Sequence, residues 1–232
     1  MKNVAKLFES KKLVAFDIDG TLADVNGILK KADDHLFQYV LDHYPRIEME
    51  TPSSVSQMIH DFQDNNPNSR ASVGSKRREF YSQLAQKAGY AESVGEELYR
   101  AWQHERNHYD FYPLVPDLLH LLHDRGYVVV VITDGTADMT FHPEVVDAVD
   151  LYVNPQTSNT TKTTGEAYSF VLDKYPHIQP RDCLMVGDNP ISDILNAKQK
   201  GWDTVFISSE AYACVPTDFT IDSVTSLFHL LP

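Results

Sequence analysis

Six consecutive apolar residues, Tyr127-Val128-Val129-Val130-Val131-Ile132, constrain this chain more than any other stretch. Adjacent β-branched residues without polar alternation fit a strand buried on both faces, the kind found in parallel sheets covered by helices. A helix precedes the run, apolar from Pro116 to Arg125 and stopped by Gly126. A second buried strand, Leu13-Val14-Ala15-Phe16, ends in Asp17-Ile18-Asp19-Gly20-Thr21 and so delivers carboxylates to a turn. Downstream the sequence predicts a strand at Leu151 to Val153, a helix from Glu166 to Tyr175 and a strand from Cys183 to Val186. A helix from Ile191 to Lys200 closed by Gly201, a strand from Thr204 to Ile207 and a helix from Asp222 to Leu230 follow. Helix alternating with strand is the pattern of a parallel α/β sheet.

Between the first two strands the pattern is helical throughout. Apolar residues recur at Ile28, Ala32, Leu36 and Val40 until Pro45, and Thr51-Pro52 opens a second helix carrying Val55, Met58, Ile59 and Phe62. A polar stretch from Asp64 to Ser75 reads as a loop. Two further helices follow, one through Phe80, Leu84 and Ala88 to Gly89, the other through Val94, Leu98 and Trp102. The 232 residues therefore divide into an α/β part, 1–24 and 109–232, and a helical insert, 25–108.

Lys plus Arg number 20 and Asp plus Glu 33, a formal charge of −13, which suits neither duplex nucleic acid nor an anionic surface. The N-terminus has no signal-peptide core, no window approaches the ~18 apolar residues of a membrane span, and the two cysteines, Cys183 and Cys214, make no disulfide framework. These features predict a cytoplasmic protein with no membrane partner and a reduced, buried Cys183. They specify no oligomeric state.

Ligands of open parallel sheets gather at the carboxyl ends of the strands. Four polar groups stand there: Asp17 and Asp19, Thr133-Asp134-Gly135, Lys162, and Gly187-Asp188 with Asp193. Asp17 and Asp19 lie two apart, on one side of an extended chain, and paired carboxylates persist cheaply only beside a cation or with one protonated. Asp188 adds a third acid, an oxygen-rich set of the kind Mg²⁺ prefers.

Together these residues resemble the haloacid dehalogenase superfamily of aspartate-nucleophile hydrolases. Its first motif, Asp-x-Asp-Gly-Thr, stands here at Asp17 to Thr21, its second at Thr133, its loop lysine at Lys162, and its last at Gly187-Asp188 with Asp193. The resemblance implies a Rossmann-like parallel sheet core with helices on both faces, interrupted by an all-helical cap of the C1 type borne by phosphoglycolate phosphatase-like and nucleotidase-like members. It further implies hydrolysis of a small phosphorylated metabolite, with Asp17 as nucleophile and Asp19 as proton shuttle. Thr133 with the amides of Asp134 and Gly135 would hold phosphoryl oxygens, and Lys162 would balance charge. Mg²⁺ would be held by Asp17, Asp19 through its carbonyl, Asp188, and Asp193 directly or through water. Dehalogenases lack the second acid, so Asp19 favours phosphate esters. Two positions depart from the family pattern: Thr163 stands where relatives often have Pro, and residues 136–143 lack the usual apolar helix.

Asp24 reads as a hinge residue, and Tyr168 keeps an aromatic spacing after Lys162. Arg70, Lys76, Arg77 and Arg78 form a basic group in an acidic chain; Arg77 and Arg78 are candidate contacts for a substrate's second anionic group, against the commoner reading of a solvated helix start. Trp102, Tyr99 and Tyr109 read as core of the insert, and His104 and His108, four apart, as an exposed pair rather than a zinc site. Two other functions are compatible with the same motifs: a phosphoryl-transferring mutase of the β-phosphoglucomutase type, and a binding or regulatory module without turnover.

Overall fold

A computed structural model describes residues 4–64, 73–208 and 216–231; Arg70 and Cys214 lie outside the described residues. The chain forms two compact units, one from Met1–Asp24 and Asp110–Pro232, the other Val25–Tyr109. In chain order, α1 (Val4–Glu9) and β1 (Leu13–Phe16) precede the second unit, which comprises α2 (Val25–His43), α3 (Pro52–Asp64), α4 (Val73–Lys87) and α5 (Ser93–Arg106). The first unit resumes with α6 (Val115–Asp124), β2 (Val128–Ile132), β3 (Leu151–Val153), α7 (Pro155–Ser158), α8 (Glu166–Lys174) and β4 (Cys183–Gly187). A π-helical turn (Pro190–Leu195), α9 (Asn196–Gln199), β5 (Asp203–Ile207), β6 (Phe219–Ile221) and α10 (Thr225–Leu230) complete it.

The six strands form one parallel sheet in the order β3-β2-β1-β4-β5-β6. Phe16 stands level with Val131 on one side and Val186 on the other. That register brings the residues after β1, β2 and β4 to a common edge. Leu13, Ala15, Val130, Ile132, Cys183 and Met185 face one side of the sheet and pack with Ala167, Tyr168 and Val171 of α8 and with Trp202. The alternate residues, Val14, Phe16, Val129, Val131, Leu184 and Val186, point to the other side by the period of the pleat and are equally buried. Cys183 is a free thiol whose burial pushes its pKa up to about 12. Among the described residues, no helix is long and apolar enough to cross a membrane.

Several elements differ from the sequence reading. The helix expected from Ile191 begins as a π turn, because Asn189 caps it with its side chain on the amides of Ile191 and Ser192 and Asp193 folds back onto Gly187. β6 and α1 were not expected; three and six residues are too short to display a period, and β6 takes the residues just ahead of the last helix, which starts at Thr225. α4 begins at Val73, inside the stretch read as loop. The 136–143 departure is structural: β2 and β3 are joined through two short 3₁₀ turns, Met139–Phe141 and Val146–Ala148, and no α-helix.

The helical unit is organised around Leu36, Val40, Tyr81, Leu98, Tyr99 and Trp102. Its interior also holds a buried acid, Asp33 of α2, which accepts hydrogen bonds from Trp102 Nε1 at 2.9 Å and from Ser56 Oγ. Arg77 lies 3.5 Å from the same carboxylate, stacks on the Trp102 ring at 3.7 Å and donates to the Tyr81 hydroxyl at 2.9 Å. Asp33→Ala would leave that buried guanidinium uncompensated, so unfolding should show a loss of roughly 3–5 kcal/mol, as for removal of one partner of a buried ion pair. Adding Arg77→Met should recover part of it, and a loss confined to the surface-pair range would refute this account.

Candidate functional site

At the common edge of the sheet the residue following β1 is Asp17, whose backbone amide bonds Val186 O at 3.1 Å and so ties the end of β1 to β4. Two residues on, the chain turns: the amides of Thr21, Leu22 and Ala23 all donate to Ile18 O, and Gly20 adopts a left-handed φ of 84°. A side chain at Gly20 is excluded twice over, by φ and because a Cβ would fall 2.3 Å from an oxygen of Asp188. Gly135 and Gly187 repeat the theme. A Cβ on Gly135 would lie 2.6 Å from Asp19 Oδ2, and one on Gly187 would lie 2.2 Å from Asp193 Oδ2. Each of the three glycines leaves its space to a carboxylate.

Lys162 reaches into this crowd. Its ammonium sits 2.5 Å from Asp17 Oδ1 and 2.7 Å from Asp193 Oδ1, and all three residues are buried, Asp193 completely. Burial by itself would drive Lys162 toward the neutral form; the two carboxylates outweigh it and hold the ammonium more firmly protonated than an ordinary lysine. Asp17 is pushed well above the usual carboxylate range by burial, with Asp193 adding to the shift and Lys162 opposing it. Burial, seconded by Asp193, also raises Asp188, to about 6. One ammonium does not neutralise this group of acids.

Asp17, Asp188 and Asp193 each offer a carboxylate oxygen, all within 4.8 Å of one another. Three hard oxygen donors with uncompensated negative charge suit a divalent cation such as Mg²⁺. Asp193 is the least available of them, since Oδ1 meets Lys162 and Oδ2 accepts the Asn189 amide at 3.0 Å. That leaves Asp17 and Asp188 as the carboxylates best placed to touch a metal.

Thr133 follows β2 and is buried, its amide on Val153 O at 3.0 Å and its Oγ1 accepting the Gly135 amide at 2.9 Å. The Gly135 amide, expected on a phosphoryl oxygen, is thus engaged by Thr133. The side chain of Asp134 turns to the lysine loop, accepting from the amides of Lys162 at 2.6 Å and Thr163 at 2.9 Å. Asn196 completes that loop by donating to the carbonyls of Lys162 and Thr163, both at 2.9 Å. Sequence reasoning missed Asn196, although its position three after Asp193 puts both on one helical side. Tyr168 is buried and its hydroxyl donates to Ser192 O at 2.6 Å, bracing the turn that carries Asp193.

Asp24 is exposed at the last position of its segment. Arg77, from the sequence a candidate substrate contact with a solvated helix start as the commoner reading, is 8% exposed and committed to Asp33, Tyr81 and Trp102 inside the helical unit, where a carboxylate and an aromatic face meet its charge. Arg78 is half-exposed, 3.2 Å from Glu96 and over the Tyr99 ring. A cleft of about 450 Å³ in the same unit is lined by Asn26, Lys30, Asp33, Pro52 and Ser56.

The family model for haloacid dehalogenase-like hydrolases matches residues 11–201. A phosphoglycolate phosphatase of Aliivibrio fischeri is 29% identical over 201 residues, covering 84% of this chain and 83% of its own. One from Vibrio vulnificus is 26% identical over 247 residues, covering 95% and 96%. In fold, a 2-haloacid dehalogenase from Pseudomonas syringae superposes with a TM-score of 0.81 at 21% identity, over 95% of this chain and 97% of its own.

Because Asp188 binds its proton more tightly in the folded chain than an ordinary carboxylate does, metal-free protein should gain stability as pH falls through about 6. Mg²⁺ must displace that proton, so the rise in Tm on adding Mg²⁺ should be larger at about pH 7.5 than at about pH 5. Asp188→Asn should abolish the rise, and an increment indifferent to pH would contradict the assignment.

Proposed function

The chain belongs to the haloacid dehalogenase-like hydrolases, and we propose that within this family it is a Mg²⁺-dependent phosphomonoester hydrolase acting on a small phosphorylated metabolite through an aspartyl-phosphate. The observation that carries the reading is the pair of acids after β1: Asp17 buried against Lys162, and Asp19 with its carboxylate beside the Thr133–Gly135 turn. A halide leaves without a proton. An alkoxide does not, and Asp19 is the group in place to supply one.

Asp17 attacks phosphorus, the bond from phosphorus to the ester oxygen breaks, and Asp19 protonates the departing alkoxide. Asp19, now a carboxylate, takes a proton from water as that water attacks the phosphorus of the acyl phosphate, which returns Asp17. Lys162 offsets the negative charge of Asp17 and of the phosphoryl group as they approach. Thr133 Oγ1 accepts from the Gly135 amide, which leaves its own hydrogen to donate to a phosphoryl oxygen, and the Asp134 amide is a second donor there. Asp17, the Asp19 carbonyl and Asp188, with Asp193 behind them, would hold Mg²⁺, which would supply Lewis-acid neutralisation of the phosphoryl charge. The name shared by the Aliivibrio and Vibrio relatives puts phosphoglycolate first among the metabolites to test.

Phosphate release should require both Mg²⁺ and Asp17, with Asp17→Asn inactive on every ester in a phosphometabolite panel. Asp19→Asn should lower kcat on alkyl esters by about 10²–10⁴-fold and much less on p-nitrophenyl phosphate, whose phenolate leaves without help. Equal losses on both would refute the role of Asp19, and release that survives Asp17→Asn would refute the aspartyl-phosphate.

A further inference from the structure

The two residues Lys162 and Thr163 are gripped from both sides. Asp134 accepts the Lys162 amide on Oδ1 at 2.6 Å, and on Oδ2 it accepts the Thr163 amide at 2.9 Å and the Thr163 hydroxyl at 2.8 Å. Asn196 Nδ2 donates to both carbonyls of the same residues, each at 2.9 Å. Every backbone polar group of this dipeptide is therefore met by one of two side chains, the Lys162 carbonyl also accepting the Gly165 amide at 2.9 Å, and neither side chain comes from a neighbouring position in sequence.

The contacts have a direction. Asp134 is the residue after Thr133, and Asn196 lies three residues after Asp193, which holds the far end of Lys162 at 2.7 Å. One helical segment thus grips Lys162 at its ammonium through Asp193 and at its carbonyl through Asn196. Thr163 fits this arrangement where Pro would not, because Pro has neither the amide hydrogen nor the hydroxyl that Asp134 accepts.

We infer that Asp134 and Asn196 are positioning residues, a two-sided clamp on Lys162 and Thr163 that fixes where the Lys162 ammonium meets Asp17. Their effect on turnover rests on the phosphatase reading, since it acts through Lys162; the clamp itself does not. Asp17 and Asp193 hold the ammonium end of the four-carbon stem and the clamp holds its backbone end, so a shift of the backbone would pull the ammonium off Asp17, and a displacement of about 1 Å of a reacting or charge-balancing group costs on the order of 10²-fold in rate.

Two measurements test the clamp. The first is amide exchange at Lys162 and Thr163 followed by NMR, which needs no substrate: Asp134→Ala should speed both by at least about tenfold. The second is hydrolysis of p-nitrophenyl phosphate, where Asp134→Ala and Asn196→Ala should each lower kcat by about 10- to 100-fold with a smaller change in KM. Asp134→Asn, which keeps one acceptor oxygen, should fall between Asp134→Ala and wild type.

The decisive arm places Asp134→Ala in a Lys162→Met background, where a positioning residue has nothing left to position and kcat should drop no further. A proportional loss in that background would overturn the inference, because it would show that Asp134 acts on turnover by a route other than Lys162, and unchanged amide exchange would overturn it independently. Wild-type protein that hydrolyses no ester would defeat the phosphatase reading instead, and the exchange rates would still uphold or overturn the clamp.

Discussion

The buried contact of the Lys162 ammonium with Asp17 and Asp193 is the interaction on which the functional edge of this molecule depends. A lysine taken out of water is costly unless its charge is met at close range, and here two carboxylates meet it from different loops. Asp17 arrives from the end of β1, Asp193 from the turn after β4, and the backbone of Lys162 is tied to Asp134, two residues past the end of β2. Three strand ends that are neighbours in the sheet are thereby made neighbours in chemistry.

Compensation at this point is deliberately incomplete in the electrostatic sense. The acids outnumber the ammonium, and Asp17 and Asp188 both hold their protons more tightly than solvated carboxylates would. A chain folded for stability alone would have no use for such crowding, in which glycines at 20, 135 and 187 give up side-chain volume so that carboxylates can lie against the backbone. Three carboxylates gathered around one ammonium are the kind of oxygen-rich set that suits a hard cation.

The sheet and the residues that gather at its edge were legible because both are written in short, strong signals. Buried parallel strands show as unbroken apolar runs, and the polar residue that follows each run is placed by the strand's own end, so Asp17, Thr133 and Asp188 could be named without coordinates. What escaped notice depends on partners far away in sequence. Nothing near Asp134 announces that its carboxylate, rather than its amide, is committed to residues 28 and 29 positions later. Arg77 misled for the same reason: a run of cations looks like a surface until Asp33 and Trp102, from two other helices, are found around one of them. The π turn after Asn189 and the three-residue β6 were hidden by length, since neither runs through enough repeats of its pattern to stand out.

The chain leaves the α/β unit after Asp24 and returns at Asp110, and on that unit's own side the two crossings are stitched together: Ala23 bridges Phe111, and the Tyr112 amide bonds Leu22 O at 2.9 Å. The ends of the intervening segment are thus fixed side by side by the sheet-bearing unit. Closing a loop costs only logarithmically more as it lengthens, so what hangs between two such pinned ends can grow, shrink or be exchanged with little penalty to the sheet. The length of the helical segment is thereby decoupled from the closure of the sheet, because the bonds that join its two ends belong to the sheet-bearing unit alone.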